Sequence, residues 1–336
     1  MEYYGLVKKY PVNRPLTEWE IERHLPQDKY SGCAPWPQVS VVKMNSTYLE
    51  CVDKFFEGRG ILAAVGLFFV CLFSLAVITV FPDFSKWSSM TPYDKKGSLL
   101  VMLFCYLLFI PIIAIFWHFM LRKELFTFTH YPMRFNRKNR MVYVTRLDGT
   151  VMIEPWDKLY FTVGNCGEDV RDIQGHRLAD DGVTVLETFS LAFYEPEGSP
   201  HLLSQWEFVR QYMEYGPAML MDMVPLVILV DERREPFMDG LARLYATTNT
   251  RGGSFLATLL MPITFVYAIG RWIGTFTSKI PHWPDEVEEA CRIHPDDPYL
   301  RDHDHVAENE AHEIARDAYL AAIARQAGAV RTEIDH

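Results

Sequence analysis

Ile61–Pro82 reads ILAAVGLFFVCLFSLAVITVFP and Ser98–Leu121 reads SLLVMLFCYLLFIPIIAIFWHFML, and neither stretch holds an Asp, Glu, Lys or Arg. Each exceeds the roughly 20 residues a helix needs to cross about 30 Å of hydrocarbon. A helix in a water-soluble core is rarely apolar on every face over that length. The two runs therefore predict a transmembrane helical hairpin, and with it an α+β membrane protein. The first run lies behind many charges and prolines, unlike a cleavable signal peptide.

The flanking charges orient the hairpin. Lys43, Lys54 and Arg59 precede the first run, and Arg122, Lys123, Arg134, Arg137, Lys138 and Arg140 follow the second. The linker between the runs balances Lys86, Lys95 and Lys96 partly with Asp83 and Asp94. Positive charge stays on the cytosolic side, so both termini are expected in the cytosol of a bacterial inner membrane. Trp87, Tyr93, Trp117 and His118 suit the membrane–water interface, and Pro111 predicts a kink or packing point in the second helix.

Net charge is −10, and the fourteen acids and five arginines between Asp285 and Asp335 account for most of it. The rest is near neutral and offers no basic surface for nucleic acid. Six cysteines are scattered without CxxC spacing, as reduced thiols rather than a disulfide framework or zinc site.

Residues 1–57 read as a cytosolic N-terminal arm, broken by prolines at 11, 15, 26, 35 and 37, that packs on another part of the chain. Thr17 ahead of EWEIERHL predicts a short capped helix. Residues 58–121 form the hairpin. Residues 122–216 then read as a cytosolic β-domain. Its expected strands lie in LFTFTHY, MRFNRKN, MVYVTRLDGT, VMIEPWDKLYFTVG and VTVLETFSLAFYE, with a hairpin turn at Asp148-Gly149. Ser199-Pro200 opens a helix whose stripe is Leu202, Trp206, Val209 and Met213, ending at Gly216-Pro217. Antiparallel strands closed by one amphipathic helix match the element order of a pleckstrin-homology-like (PH-like) barrel, an order other small barrels share.

Residues 217–283 read as an apolar helical, interfacial segment. FLATLLMPITFVYAIG, Phe255 to Gly270, is short for a span, and Arg271 and Lys279 follow it. A helix on the inner leaflet or over the β-domain is expected, with a third crossing as the alternative. Residues 284–336 read as an acidic helical tail.

Chemistry is sparse. His294, Asp296, Asp297, Asp302, His303, Asp304, His305, Glu308 and His312 cluster in the tail without HExxH spacing, so a solvated tail outweighs a metal site. No GxSxG, GxxxxGK[ST] or GxGxxG occurs. No catalytic residue, metal ligand or cofactor is therefore expected. The hairpin lacks the internal charges of a transport path. Arg134, Arg137, Lys138 and Arg140 could touch anionic lipid, although orientation of the hairpin by the positive-inside bias explains them without any specific site and is the preferred reading. Trp156 is expected to anchor the β-domain core.

The hairpin, the stretch MRFNRKNRMVYVTRLDGTVMIEPWDKL, the closing helix and KIPHWPDEVEEAC together resemble a family of uncharacterised proteobacterial inner-membrane proteins. The resemblance covers roughly residues 50–295, and members often lie near type VI secretion effector genes. It implies an effector-immunity or secretion-accessory role, with a secreted effector or secretion component as partner. The expected function is non-enzymatic, through protein contacts at the lipid bilayer. The rivals are a metal-dependent enzyme using the tail cluster and a transporter or channel subunit.

Overall fold

The structure, a computed structural model, describes residues 9–38, 40–79, 89–166, 170–196, 200–224, 227–228, 230 and 234–302. The chain divides into two compact units that interleave in sequence. Met1–Glu57, His130–Arg233 and Ile280–His336 form one, and Gly58–Thr129 with Arg234–Lys279 form the other. These boundaries differ from the contiguous ones read from the sequence, because strands far apart in the chain complete shared sheets.

Among the described residues the first unit carries nine strands: β1 (Arg14–Pro15), β2 (Val41–Met44), β3 (Tyr48–Cys51), β4 (Met133–Asn136), β5 (Met141–Thr145), β6 (Val151–Pro155), β7 (Leu159–Asn165), β8 (Val170–Leu178) and β9 (Thr184–Pro196). An antiparallel sheet in the order β2-β3-β4-β5-β6 curls into a half-barrel, and a second has the order β1-β9-β8-β7. The arm thus supplies β1, β2 and β3. Its prolines disrupt only the residues up to Pro37; beyond them VVKM and YLEC bury nearly every side chain. Tyr48 pairs with Asn136 and Cys51 with Met133, so β3 and β4 are neighbours across the whole hairpin.

Other expectations need correcting. LFTFTHY forms no strand, because Phe126 adopts φ 59° and interrupts the extended run. VRDIQGHRL, not among the expected strands, is the inner strand β8, its polar groups buried against partners. AMLMDMVPLVILV contributes only one 3-10 turn, Met221–Met223, among its described residues. Beyond it Val227, Ile228 and Val230 are buried, and the Ile228 amide donates to the Val41 carbonyl.

Local signals hold elsewhere. Thr17 caps α1 (Glu18–Glu22), and Glu20 reciprocates in a complete capping box. Gly149 takes φ 86° in the β5–β6 turn, a conformation that glycine adopts without strain. Helix α5 (Pro200–Tyr215) buries Leu202, Trp206, Val209 and Met213 against both sheets, together with Phe135, Val142, Phe161, Ile173 and Phe189. Each such side chain contributes about 1.5–3 kcal/mol by leaving water.

The second unit is helical. Helices α2 (Ile61–Thr79) and α3 (Pro92–Phe116) form the hairpin, and α3 runs through Pro111 into a π-helical turn, Trp117–Leu121, and α4 (Arg122–Glu124). Phe69 stacks on Phe116 at 4.8 Å between centroids, and Phe73 on Phe109 at 5.4 Å. Both helices are long and apolar enough to cross a membrane, with only 17% of the apolar window of α2 buried and none of that in α3. The expected single helix over Phe255–Gly270 is two: α6 (Phe237–Leu259) ends and α7 (Met261–Thr277) begins, with Pro262 in its first turn. Proline is tolerated there because those amides have no intrahelical partner. A short α8 (Asp285–Ala290) belongs to the sheet unit.

Candidate functional site

The base of the hairpin concentrates charge. The Glu124 carboxylate accepts the Ala63 amide at 2.8 Å, satisfying the open N-terminus of α2 and facing its positive dipole end. The end of the second helix therefore caps the start of the first. Arg59 Nη2 donates to the Glu124 carbonyl at 3.1 Å and to Ser278 Oγ at 2.8 Å. Arg271 is buried within α7; its Nε donates to Glu235 at 2.6 Å and its Nη1 to the Arg59 carbonyl at 3.2 Å. Burial opposes ionisation of Glu235, but Arg271 and Arg243 outweigh it and hold its carboxyl below the usual range. Each charge is committed to a partner in the same unit. That arrangement locks helix ends together rather than presenting a reactive group.

In the sheet unit, the four candidate lipid-contact cations have different surroundings. Arg134 is buried, bonded through Nε to Glu50 at 2.8 Å and through Nη2 to Glu288 at 3.0 Å. Its guanidinium also lies between the rings of Tyr48, 4.6 Å away, and Trp283, 4.8 Å away. Burial opposes its charge, yet Glu50 and Glu288 raise its pKa. Arg140 pairs with Asp157 and Glu214. Arg137 lies over Gly216, a residue with φ 90°. Lys138 lines an open cleft of about 370 Å³ with Ser46, Thr47, His294, Asp296 and Asp297. Trp156 is fully buried, stacks on Trp206 at 5.8 Å, and donates Nε1–H to Glu214 at 2.8 Å.

Three buried polar groups escaped the sequence reading. Lys54 Nζ donates to Asp172 at 2.6 Å and to the Tyr10 hydroxyl at 2.7 Å, and Tyr10 donates to the same carboxylate. Glu20 takes both Nη atoms of Arg14 and lies 3.7 Å from His176 Nε2. Glu207 and Arg210 pair on α5 at 2.6 Å. Lys54 meets Asp172, and Glu20 meets His176, across more than a hundred residues of sequence, so local pattern did not reveal those pairings; Arg14 lies only six residues from Glu20. Buried and paired with one another, they hold elements together.

Among the described residues no three His, Cys, Asp or Glu side chains converge to hold a metal ion. Asp297 accepts the Ser46 amide and hydroxyl at 2.9 and 2.8 Å, and His294 Nδ1 accepts the Asp296 amide. Tail residues His303, Asp304, His305, Glu308 and His312 lie outside the described residues. Apolar side chains are also strongly exposed on the helical unit, among them Leu72, Leu107, Phe104, Ile263 and Phe276.

A model of a family of unknown function (DUF6708) matches residues 110–295. The chain belongs to this family. The match in this DUF6708 chain runs from α3 through α8 and includes Arg134, Trp156 and Trp283, while β1, β2, β3 and α2 precede it. No curated protein and no solved structure matches the chain.

Proposed function

We propose that this protein is a membrane-anchored binding protein, held by the α2–α3 hairpin and acting through protein contacts rather than turnover. The observation that carries the reading is the exposure of α2 and α3: helices this apolar are core elements in a soluble protein, yet here almost none of their apolar surface is buried. The hairpin sits in an inner membrane with the β-domain on the cytosolic side, as the flanking cations favour. Strands β3 to β6, then β7 to β9, then α5 follow the four-plus-three-plus-helix order of a PH-like barrel, with the hairpin inserted after its first strand.

The partner is a secreted effector or a secretion component, and the role one of immunity or accessory function beside type VI secretion. Support for this finer reading is the sequence resemblance of MRFNRKNRMVYVTRLDGTVMIEPWDKL and KIPHWPDEVEEAC to proteins encoded near such effectors. Two experiments test the proposal. Reporters active only in the cytosol are fused at Ser89 and at the C-terminus; activity at the C-terminus alone is expected, and activity at Ser89 defeats the orientation. A strain lacking this gene is then competed against its effector-producing parent. Contact-dependent loss of the mutant is expected, and equal survival removes the immunity role.

A further inference from the structure

Helix α7 is built inside out. The side turned into its unit carries Thr264, Ala268, Arg271 and Thr275, all buried and small or polar. The opposite side carries Ile263, Val266, Trp272 and Phe276, exposed by 67%, 50%, 45% and 61%. A surface helix in water shows the reverse distribution, apolar stripe inward and polar stripe outward. Phe255 and Leu259 extend the exposed stripe across the α6–α7 turn, at 82% and 63% exposure. The inward charge, Arg271, is closed by Glu235, as ionisable groups inside a membrane unit must be.

Strand pairing limits how often this segment can cross a bilayer. Tyr48 and Asn136 are paired, so the chain enters and leaves the α2–α3 hairpin on one side. Met44 and Arg301 exchange backbone hydrogen bonds at 3.0 and 2.7 Å, so the chain is again on that side after α7. The segment between α5 and α8 therefore makes an even number of crossings. Helix α6 carries Asp239, Arg243 and Arg251 and is unfit to cross, which leaves α7 no partner crossing.

Depth follows from packing within the helical unit. A Cβ on Gly270 would lie 2.5 Å from the Ala64 amide and the Gly60 carbonyl, so α7 touches the first turns of α2. Ile273 packs against the cluster of Ala63, Leu121 and Leu125, as do Leu67 and Val70 of α2. From Ile61 to Val70, α2 rises about 14 Å at 1.5 Å per residue, close to one leaflet of a ~30 Å core.

We propose that the α6–α7 turn and the outward stripe of α7 are seated among the acyl chains of one leaflet, without crossing. The occupant of this apolar face is lipid. The proposal rests on the reading of α2 and α3 as a membrane anchor. It makes the anchor three-helical on one leaflet and two-helical on the other.

The full chain, its native cysteines replaced by alanine, is reconstituted in phosphatidylcholine–phosphatidylglycerol vesicles with single Ile263→Cys, Val266→Cys or Phe276→Cys changes carrying a fluorophore. Leu72→Cys and Leu107→Cys report the hairpin, and Val183→Cys reports the β-domain. Nitroxide lipids labelled near the headgroup should quench the α7 positions about twofold more than lipids labelled at the bilayer centre. The hairpin positions should show the opposite preference, and Val183→Cys neither. If the hairpin labels are quenched but the α7 labels are not, lipid does not cover α7 and the inference falls while the anchor stands. Deep quenching at α7 means a crossing and also overturns it. Unquenched Leu72→Cys and Leu107→Cys remove the anchor reading and this inference with it. Should the cysteine-free chain not fold, benzoylphenylalanine at Ile263 or Phe276 of the native chain should crosslink to phospholipid; crosslinks confined to protein overturn the proposal.

Discussion

Arg134 of β4 lies beneath Trp283, its guanidinium carbon 4.8 Å from the indole, while Trp283 Nε1 donates at 3.0 Å to the Glu50 carboxylate that Arg134 also binds. One buried ion pair thus joins β3 and β4 to the segment that follows the last helix pair, and Asn136 adds a bond to the Ala290 carbonyl at 2.8 Å. Arg134→Ala leaves Glu50 buried and unpaired, which costs about 3–5 kcal/mol. Trp283→Phe keeps the ring and loses the hydrogen bond, costing about 1–2 kcal/mol. Glu288→Gln, at a half-exposed site, changes stability by under about 1 kcal/mol. Thermal unfolding of the full chain in detergent ranks the three; a Glu288→Gln loss equal to that of Arg134→Ala removes the argument.

Trp156 sits where the two sheets and α5 meet, with Phe161 at 4.9 Å and Trp206 at 5.8 Å between centroids. Trp156→Ala opens a cavity among these rings and costs about 3–5 kcal/mol. Trp156→Phe fills most of the volume but releases Glu214, which Arg140 still holds, so its cost is nearer 1–2 kcal/mol. Urea titration followed by tryptophan fluorescence separates them. Equal midpoints for the two variants would show that the ring itself adds little.

Much of this was legible in the sequence, and the failures have physical reasons. The hairpin, α5 and the Asp148-Gly149 turn follow from local signals: an unbroken apolar run, a helical stripe, a residue suited to positive φ. Strand β8 did not, because Arg171, Asp172, Gln174 and His176 break the apolar alternation that marks a strand. Their cost of burial is offset by Lys54, Tyr10 and Thr188, which come from elsewhere in the chain. Strands β2 and β3 were hidden for a different reason: β2 pairs with β3, whose other partner β4 lies beyond the hairpin. The division of FLATLLMPITFVYAIG at Leu260 was signalled by Pro262, which suits a helix start as well as an interruption.

His176 and Glu20 give the sheet unit an acid sensitivity with two windows. Burial holds the His176 imidazole neutral down to about 4, against an ordinary 6.5, with Nδ1 bonded to Thr188 Oγ1 at 2.8 Å. An unfolded chain takes up that proton below 6.5 and the folded one does not, so stability falls as pH drops from 6.5 toward 4. Burial resists ionisation of Glu20, but Arg14 and the Thr17 amide prevail and lower its carboxyl to about 2 from 4.5. Its stabilisation is complete above 4.5 and is lost as pH falls through about 2. One proton gives a slope of up to about 1.4 kcal/mol per pH unit. His176→Gln should flatten denaturation free energy between pH 6.5 and 4 and leave the lower window intact. Parallel profiles for the variant and the native chain would exclude His176 as the source.

Gly270 makes one of the close backbone approaches in the helical unit. A Cβ there meets the Ala64 amide and the Gly60 carbonyl at 2.5 Å, and a backbone offers no rotamer to relieve it. Gly270→Ala must therefore push α7 off α2 and strain the Arg271–Arg59 contact on the next residue, costing about 1–3 kcal/mol. Gly97→Ala is the control, since its Cβ meets nothing within 4 Å and alanine favours the helix. In detergent, Gly270→Ala should lower the midpoint of thermal unfolding while Gly97→Ala leaves it unchanged or raises it. Hydrogen exchange adds a local readout: amides in the first turns of α2, against which Gly270 packs, should be protected in the native chain and exchange faster beside Gly270→Ala. Equal protection in both chains means that α7 tolerates the methyl group, and the close packing of α7 on α2 is then not what holds the helix pair to the hairpin.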